Sequence, residues 1–242
     1  MMYSLMKLQV RTMTTNPNMN NIRENILSIK SELEEGVRLV AVSKYHPVED
    51  LQSAYDAGQR IFGESDAQEV MAKESKLPTD IEWHFIGHLQ TNKIKYIAPF
   101  ISLIHSVDSL KLLREIDKHA KKNERVINCL LQIHIAQEDT KFGLSEEELT
   151  SLLESEEYST LSNIRIDGLM CMATNTDDEE QIRREFKQVK DIFNKIKEKF
   201  FPASEHFCEL SMGMSDDYHI AMQEGSTLVR VGSKIFGMRN YA

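Results

Sequence analysis

The side chains that could do chemistry in this 242-residue sequence are a lysine, an arginine and two serine–glycine clusters. Lys44 closes VRLVAVSK, a run whose apolar residues read as a buried strand. Lysine is among the residues least often buried, so one at the end of such a strand needs a partner or a task. A desolvated ammonium loses its proton more readily, and the free amine condenses with aldehydes. The plainer alternative is a stem lying along the wall with its head in water. Arg230, in TLVRVG, sits between two valines and cannot shed its charge, so it requires acceptors. They would be a salt-bridge partner on a neighbouring strand, or an anion or ring nitrogen of a bound cofactor. Ser211, Gly213 and Ser215 in LSMGMSDD, with Gly232 and Ser233 in VGSKIF, offer hydroxyls and backbone N–H groups uncovered by small residues. That set suits an anion, although loop glycines more often serve turns.

Other candidates are weaker. His84 and His88 are four apart, but Gly87 intervenes and IEWHFIG reads as a strand, so the helical zinc geometry is not expected. His46, His105, His134, His206 and His219 form no ligand-spaced cluster and read as structural. No metal site is expected. Cys129, Cys171 and Cys208 lie far apart in apolar runs and read as reduced core residues of a cytoplasmic protein. Met170, Met172, Met212 and Met214 read as core filling.

Eight short β-branched or apolar runs must position these groups: 37–44, 60–65, 81–87, 101–107, 126–135, 164–172, 206–213 and 227–236. Helical patterns fall between them at 47–58, 66–76, 90–98, 109–122, 145–156, 178–199 and 216–224, with Ser145 and Glu148 spaced as a capping box. Such alternation predicts an α/β fold, a single (β/α)8 TIM barrel, with an extra N-terminal helix marked by Ile22, Ile26, Ile29 and Leu33. Residues 1–18 are read as a disordered extension or an untidy translation start, and 19–242 as the barrel. In this fold the strand C-termini carry the reactive groups, and the loops after strands seven and eight commonly cradle phosphate. A helix beginning near Ser215, Asp216 and Asp217 would add its N-terminal partial charge there, the plainer alternative being that the two aspartates simply cap the helix.

A net charge of −9 argues against general nucleic-acid binding. No apolar stretch reaches the roughly 18 residues of a membrane span, so no membrane partner is expected. The eighth strand ends close to Ala242, leaving no place for a second, dimerising domain, and a monomer is expected.

AVSKYHP, FGESDAQE, WHFIGHLQTNK, DTKFG at 139–143, GLMCM, LSMGMSDD and GSTLVRVGSKIFG, in that order, resemble the pyridoxal phosphate homeostasis protein family from Met19 to Tyr241. The resemblance implies a barrel of the alanine-racemase N-terminal type that binds pyridoxal 5′-phosphate. By it, Lys44 matches the Schiff-base lysine, Ser211, Gly232 and Ser233 match phosphate-binding positions, and Arg230 matches the arginine facing the pyridine nitrogen. An arginine there leaves the ring a weaker electron sink than an aspartate would. The sequence departs from the family at Ser65 and Asp66, where asparagine and an aromatic are usual, and at His88, where proline is common.

The leading expectation is a non-catalytic carrier in vitamin B6 homeostasis, with pyridoxal phosphate-dependent enzymes as acceptors. A racemase is the alternative; it calls for a base on each face of the cofactor, and related racemases draw one from an extra domain. A cofactor-free scaffold or a Schiff-base aldolase stands third, the aldolase needing further acids at the mouth.

Overall fold

Alternation of apolar side chains on every strand has one outlet, a sheet covered by helices outside and filled with side chains inside. The computed structural model describes residues 17–136 and 142–237. Its strands are β1 (Arg38–Val42), β2 (Ile61–Glu64), β3 (Glu82–Phe85), β4 (Leu103–Val107), β5 (Ile127–Gln132), β6 (Ile164–Met170), β7 (Glu209–Ser211) and β8 (Leu228–Val231). All pair in parallel and in chain order, and β1 closes on β8 with Ala41 opposite Val231. The chain is thus a (β/α)8 barrel.

The helices are α1 (Pro17–Glu32), α2 (Val48–Asp56), α3 (Ala67–Glu74), α4 (Ile94–Ile97), α5 (Leu110–Lys122), α6 (Glu146–Glu154), α7 (Glu156–Ser159), α8 (Glu179–Phe200), α9 (Tyr218–Gln223) and α10 (Ser233–Phe236). In α1, Ile22, Ile26 and Ile29 recur at helical spacing and are buried, each such side chain contributing about 1.5–3 kcal/mol. Asn25 Nδ2 donates to the Ile235 carbonyl at 3.0 Å, joining this helix to α10. Ser145 and Glu148 form the expected capping box on α6.

Several boundaries differ from the sequence reading. The eighth strand stops at Val231, and Ser233–Phe236, expected as its continuation, forms a helical turn because β1 offers no further pairing partner. The seventh shrinks to three residues, and the expected helix at 90–98 begins as a 3-10 turn at Thr91–Lys93. The first helix starts at Pro17, ahead of Met19; residues 1–16 and the 139–141 part of DTKFG lie outside the described residues. Cys208 is exposed, unlike the buried Cys129 and Cys171, and Met214 is also exposed.

Inward-facing residues form tiers. Val40, Ile61, Leu103, Leu130, Met170 and Leu228 pack together as a separate buried cluster, whereas Ala41, Phe62, Ile104, Leu131, Leu169 and Val229 join the larger core under the helices. Side chains alternate across a strand, so two residues further along each strand comes the next inward tier: Val42, Gly63, His105, Gln132, Met172 and Arg230. One more step reaches the positions of Lys44 and Gly232. Closure depends on Gly168, at φ 155° beside a register shift in β5–β6, where an added Cβ would lie 1.7 Å from the Glu209 carbonyl.

Candidate functional site

Lys44 lies two residues beyond the end of β1, half-buried in a turn at the C-terminal mouth. Tyr45, beside it, has φ 66°, a left-handed conformation that costs a non-glycine residue about 1–2 kcal/mol. Its N–H donates to Glu69 Oε1 at 2.6 Å. His46 is buried, 3.5 Å from Asp50, with its ring 4.9 Å from that of Phe236. The Lys44 turn therefore packs against the turn that carries Gly232 and Ser233.

Arg230 lies in the tier beneath and is 4% exposed. Its Nη1 donates to the Ser211 carbonyl at 2.9 Å and to Ser211 Oγ at 2.6 Å, and its Nη2 to the Cys171 carbonyl at 2.9 Å. These acceptors are neutral, so the structural-salt-bridge alternative does not describe its hydrogen bonds. Burial lowers the guanidinium pKa from its ordinary value, with Asp217 acting in the opposite sense. A charged donor group at the floor of the mouth favours an anion or an electron-rich atom above it.

A buried histidine pair continues from Ser211. Ser211 Oγ is 2.9 Å from His105 Nδ1, and His105 Nε2 is 2.9 Å from His84 Nδ1. Arg230 can only donate, so the pattern that satisfies every group has Ser211 donating to His105, and His105 Nε2–H donating to His84. Both rings are then neutral. Burial holds His84 down at about 3, aided by Arg38, and holds His105 well below the ordinary range, aided by His84 and Arg230.

The sequence marks His105 as structural and His84 as a strand residue without helical zinc geometry; only closure of the barrel brings the two together. Their pKa values are lower folded than unfolded, so their contribution to stability is complete above about pH 6.5 and is lost as the pH falls below it. Each is expected to lose about 1.4 kcal/mol per pH unit there. Urea unfolding at neutral and mildly acidic pH should show this loss, with a shallower slope for His84→Asn, which retains an acceptor for His105.

The phosphate-type loops meet. Ser211 is fully buried and engaged by Arg230 and His105, while Ser215 Oγ accepts from the Gly232 N–H at 3.3 Å. The hydroxyl beside Gly232 at the mouth is therefore that of Ser215. The Arg230 N–H donates to the Gly213 carbonyl at 3.0 Å, fastening the two loops together. Gly213 takes φ 88°, and Asp217 Oδ1 caps the loop by accepting from the Met214 N–H at 2.5 Å. Burial raises the Asp217 pKa. A Cβ on Gly232 would stand 3.2 Å from the Val42 carbonyl oxygen and 3.3 Å from Val42 Cβ, a crowded fit against β1 that glycine avoids. Among the described residues, the backbone N–H groups of Ser215 and Ser233 donate to nothing. This donor set fits a phosphate.

The departures at strand two and after strand three also find places. Asp66 caps α3, accepting from the N–H groups of Gln68 and Glu69 at 2.9 Å each. Ser65 packs against Gly87, where a Cβ would come within 2.6 Å of it. His88 stacks on Phe142 at 4.1 Å, with Asp108 3.7 Å away. No group of three or more His, Cys, Asp or Glu side chains among the described residues could hold a metal ion. No helix among them is long and apolar enough to cross a membrane.

The family described as "Alanine racemase, N-terminal domain" matches residues 18–240. A pyridoxal phosphate homeostasis protein of Aquifex aeolicus is 38% identical over 210 residues, covering 86% of this chain and 90% of its own. One from Pasteurella multocida is 36% identical over 238 residues, covering 95% and 100%. Among solved structures, PipY of Synechococcus elongatus with pyridoxal phosphate bound superposes with a TM-score of 0.82 at 36% identity, over 89% of this chain and all of that one.

Proposed function

We propose a function from one premise: the chain belongs to the pyridoxal phosphate homeostasis protein family, within the alanine racemase N-terminal domain family. It binds pyridoxal 5′-phosphate, holds it as a Schiff base on Lys44, and serves vitamin B6 homeostasis as a reversible, non-catalytic carrier with cofactor-dependent enzymes as acceptors. It acts in the cytoplasm, as a monomer.

The observation that carries this reading is the convergence at one barrel mouth of the Lys44 turn, the Ser215–Gly232 cradle and the buried Arg230. The cofactor supplies an aldehyde that captures an amine reversibly, together with a phosphate dianion. Ser215 and Ser233 would hold that phosphate with hydroxyl and backbone N–H donors, beside Gly232, whose own N–H donates to Ser215 Oγ, and Lys44 would supply the amine. Ser211, the phosphate position that the resemblance implies, has its hydroxyl engaged by Arg230 and His105. Arg230 stays protonated, so it cannot pass a proton to a heteroaromatic nitrogen set against it. That leaves the ring bound and weakly activated, which suits a carrier better than a racemase.

The test pairs transfer with turnover. Loaded protein mixed with the apo form of a pyridoxal phosphate-dependent aminotransferase should restore that enzyme's activity. Incubation with L-alanine should produce no D-isomer above background. Substantial D-alanine that disappears in Lys44→Ala would replace the carrier reading with the racemase reading.

A further inference from the structure

The residues on either side of Lys44 are fastened to a buried ionic cluster outside the barrel wall. Lys73 of α3 has only 7% of its side chain exposed. Its ammonium donates to the Ser43 carbonyl at 2.8 Å, to Glu64 Oε1 at 2.8 Å and to Glu69 Oε1 at 2.7 Å. Glu64 Oε1 also accepts from the Ser43 hydroxyl at 2.6 Å, and Glu69 Oε1 from the Tyr45 N–H at 2.6 Å. Ser43 is thus held at both its carbonyl and its side chain, and Tyr45 at its amide, leaving Lys44 between two anchored neighbours.

Such a cluster is a costly way to pack a helix onto a barrel. Burying an ammonium and a carboxylate carries a large desolvation cost, and apolar side chains of similar volume commonly do as well or better. Glu64 is fully buried and its Oε2 has no hydrogen-bond partner among the described residues. What the cluster provides, and an apolar contact would not, is directional hold on the turn at residues 43–45. That turn includes Tyr45 in its left-handed conformation, which persists only where surrounding contacts over-determine it.

We propose that Lys73, Glu64 and Glu69 are positioning residues for Lys44, presetting the turn so that its amine meets an incoming aldehyde in a reactive geometry. This rests on the reading of Lys44 as the Schiff-base lysine. Displacing a reacting group by about 1 Å costs up to about 100-fold in rate, so loosening the turn should be visible kinetically.

The experiment compares the full-length protein with Lys73→Met, Glu69→Ala and Glu69→Gln. Three quantities are read: the rate of borohydride-fixable adduct formation on Lys44, the affinity for pyridoxamine 5′-phosphate, and hydrogen exchange at residues 43–46 without cofactor. Pyridoxamine 5′-phosphate carries the phosphate but no aldehyde, so it reports the cradle alone. Lys73→Met should slow adduct formation about tenfold and speed exchange at 43–46, with pyridoxamine 5′-phosphate affinity unchanged. Glu69→Ala should act in the same direction more weakly. Glu69→Gln should restore wild-type behaviour, because its amide oxygen still accepts from Tyr45 and Lys73. Unchanged adduct rates in both Lys73→Met and Glu69→Ala would overturn the proposal, as would parallel loss of adduct formation and pyridoxamine 5′-phosphate binding. If Lys73→Met does not fold, the two Glu69 variants decide alone. Absence of any Lys44 adduct in the wild type would instead bring down the Schiff-base reading, and the positioning role with it.

Discussion

Lys44→Ala is expected to abolish the borohydride-fixed adduct and the visible absorption of the bound cofactor, and to weaken pyridoxal phosphate binding by about 100-fold or more. Each factor of ten in affinity is about 1.4 kcal/mol, and the variant keeps the Ser215 and Ser233 donors beside Gly232 while losing the covalent link. Pyridoxamine 5′-phosphate, which cannot form that link, should bind the variant almost as well as it binds the wild type. Spectral titration with both compounds separates the tether from the cradle. Equal loss for both would mean that the substitution damages the mouth as a whole.

The second large effect is expected at Arg230. Arg230→Met removes three hydrogen bonds, two to Ser211 and one to the Cys171 carbonyl, from a fully enclosed position. The Ser211 carbonyl keeps its bond from the Cys171 N–H, so the main losses are Ser211 Oγ and the Cys171 carbonyl. Charge-assisted bonds of this kind contribute about 1.5–3 kcal/mol each, and a fall of about 3 kcal/mol in unfolding free energy is expected. Urea titration of the apo protein measures it. Arg230→Lys should recover only part of the loss, because one ammonium cannot reproduce a planar fork spanning Ser211 and Cys171. A variant as stable as the wild type would show that Arg230 does not organise the barrel interior.

The barrel was legible because its signal is local and repeated. Each strand alternates or runs apolar, each helix has its own stripe, and both periods are visible within a dozen residues. Lys44 and Arg230 were legible for the converse reason, as charged residues at positions the pattern reserves for apolar ones. What eluded the sequence depends on closure. His84 and His105 are 21 residues apart on different strands, and nothing local says that their rings meet inside. The Glu64–Lys73 pair spans a strand end and a helix, at a spacing with no periodic signature.

Position in the loop does not say which of Ser211 and Ser215 has its hydroxyl turned to Arg230 and which to the Gly232 N–H. That choice depends on where β7 ends, and strand ends are set by neighbouring strands. Cys208 and Met214 are exposed although Phe207 and Met212, equally outside the three-residue strand, are buried, so an apolar run does not say which of its residues face outward.

The central claim, a reversible covalent hold on Lys44, is tested most directly by a peptide map. The full-length protein is incubated with pyridoxal phosphate, reduced with borohydride, digested and analysed by mass spectrometry, with an unreduced sample dialysed against hydroxylamine alongside. The expected result is a single major adduct on the peptide containing Lys44, and complete release of cofactor from the unreduced sample. An adduct spread over surface lysines, or tight binding with no adduct on Lys44, would contradict it.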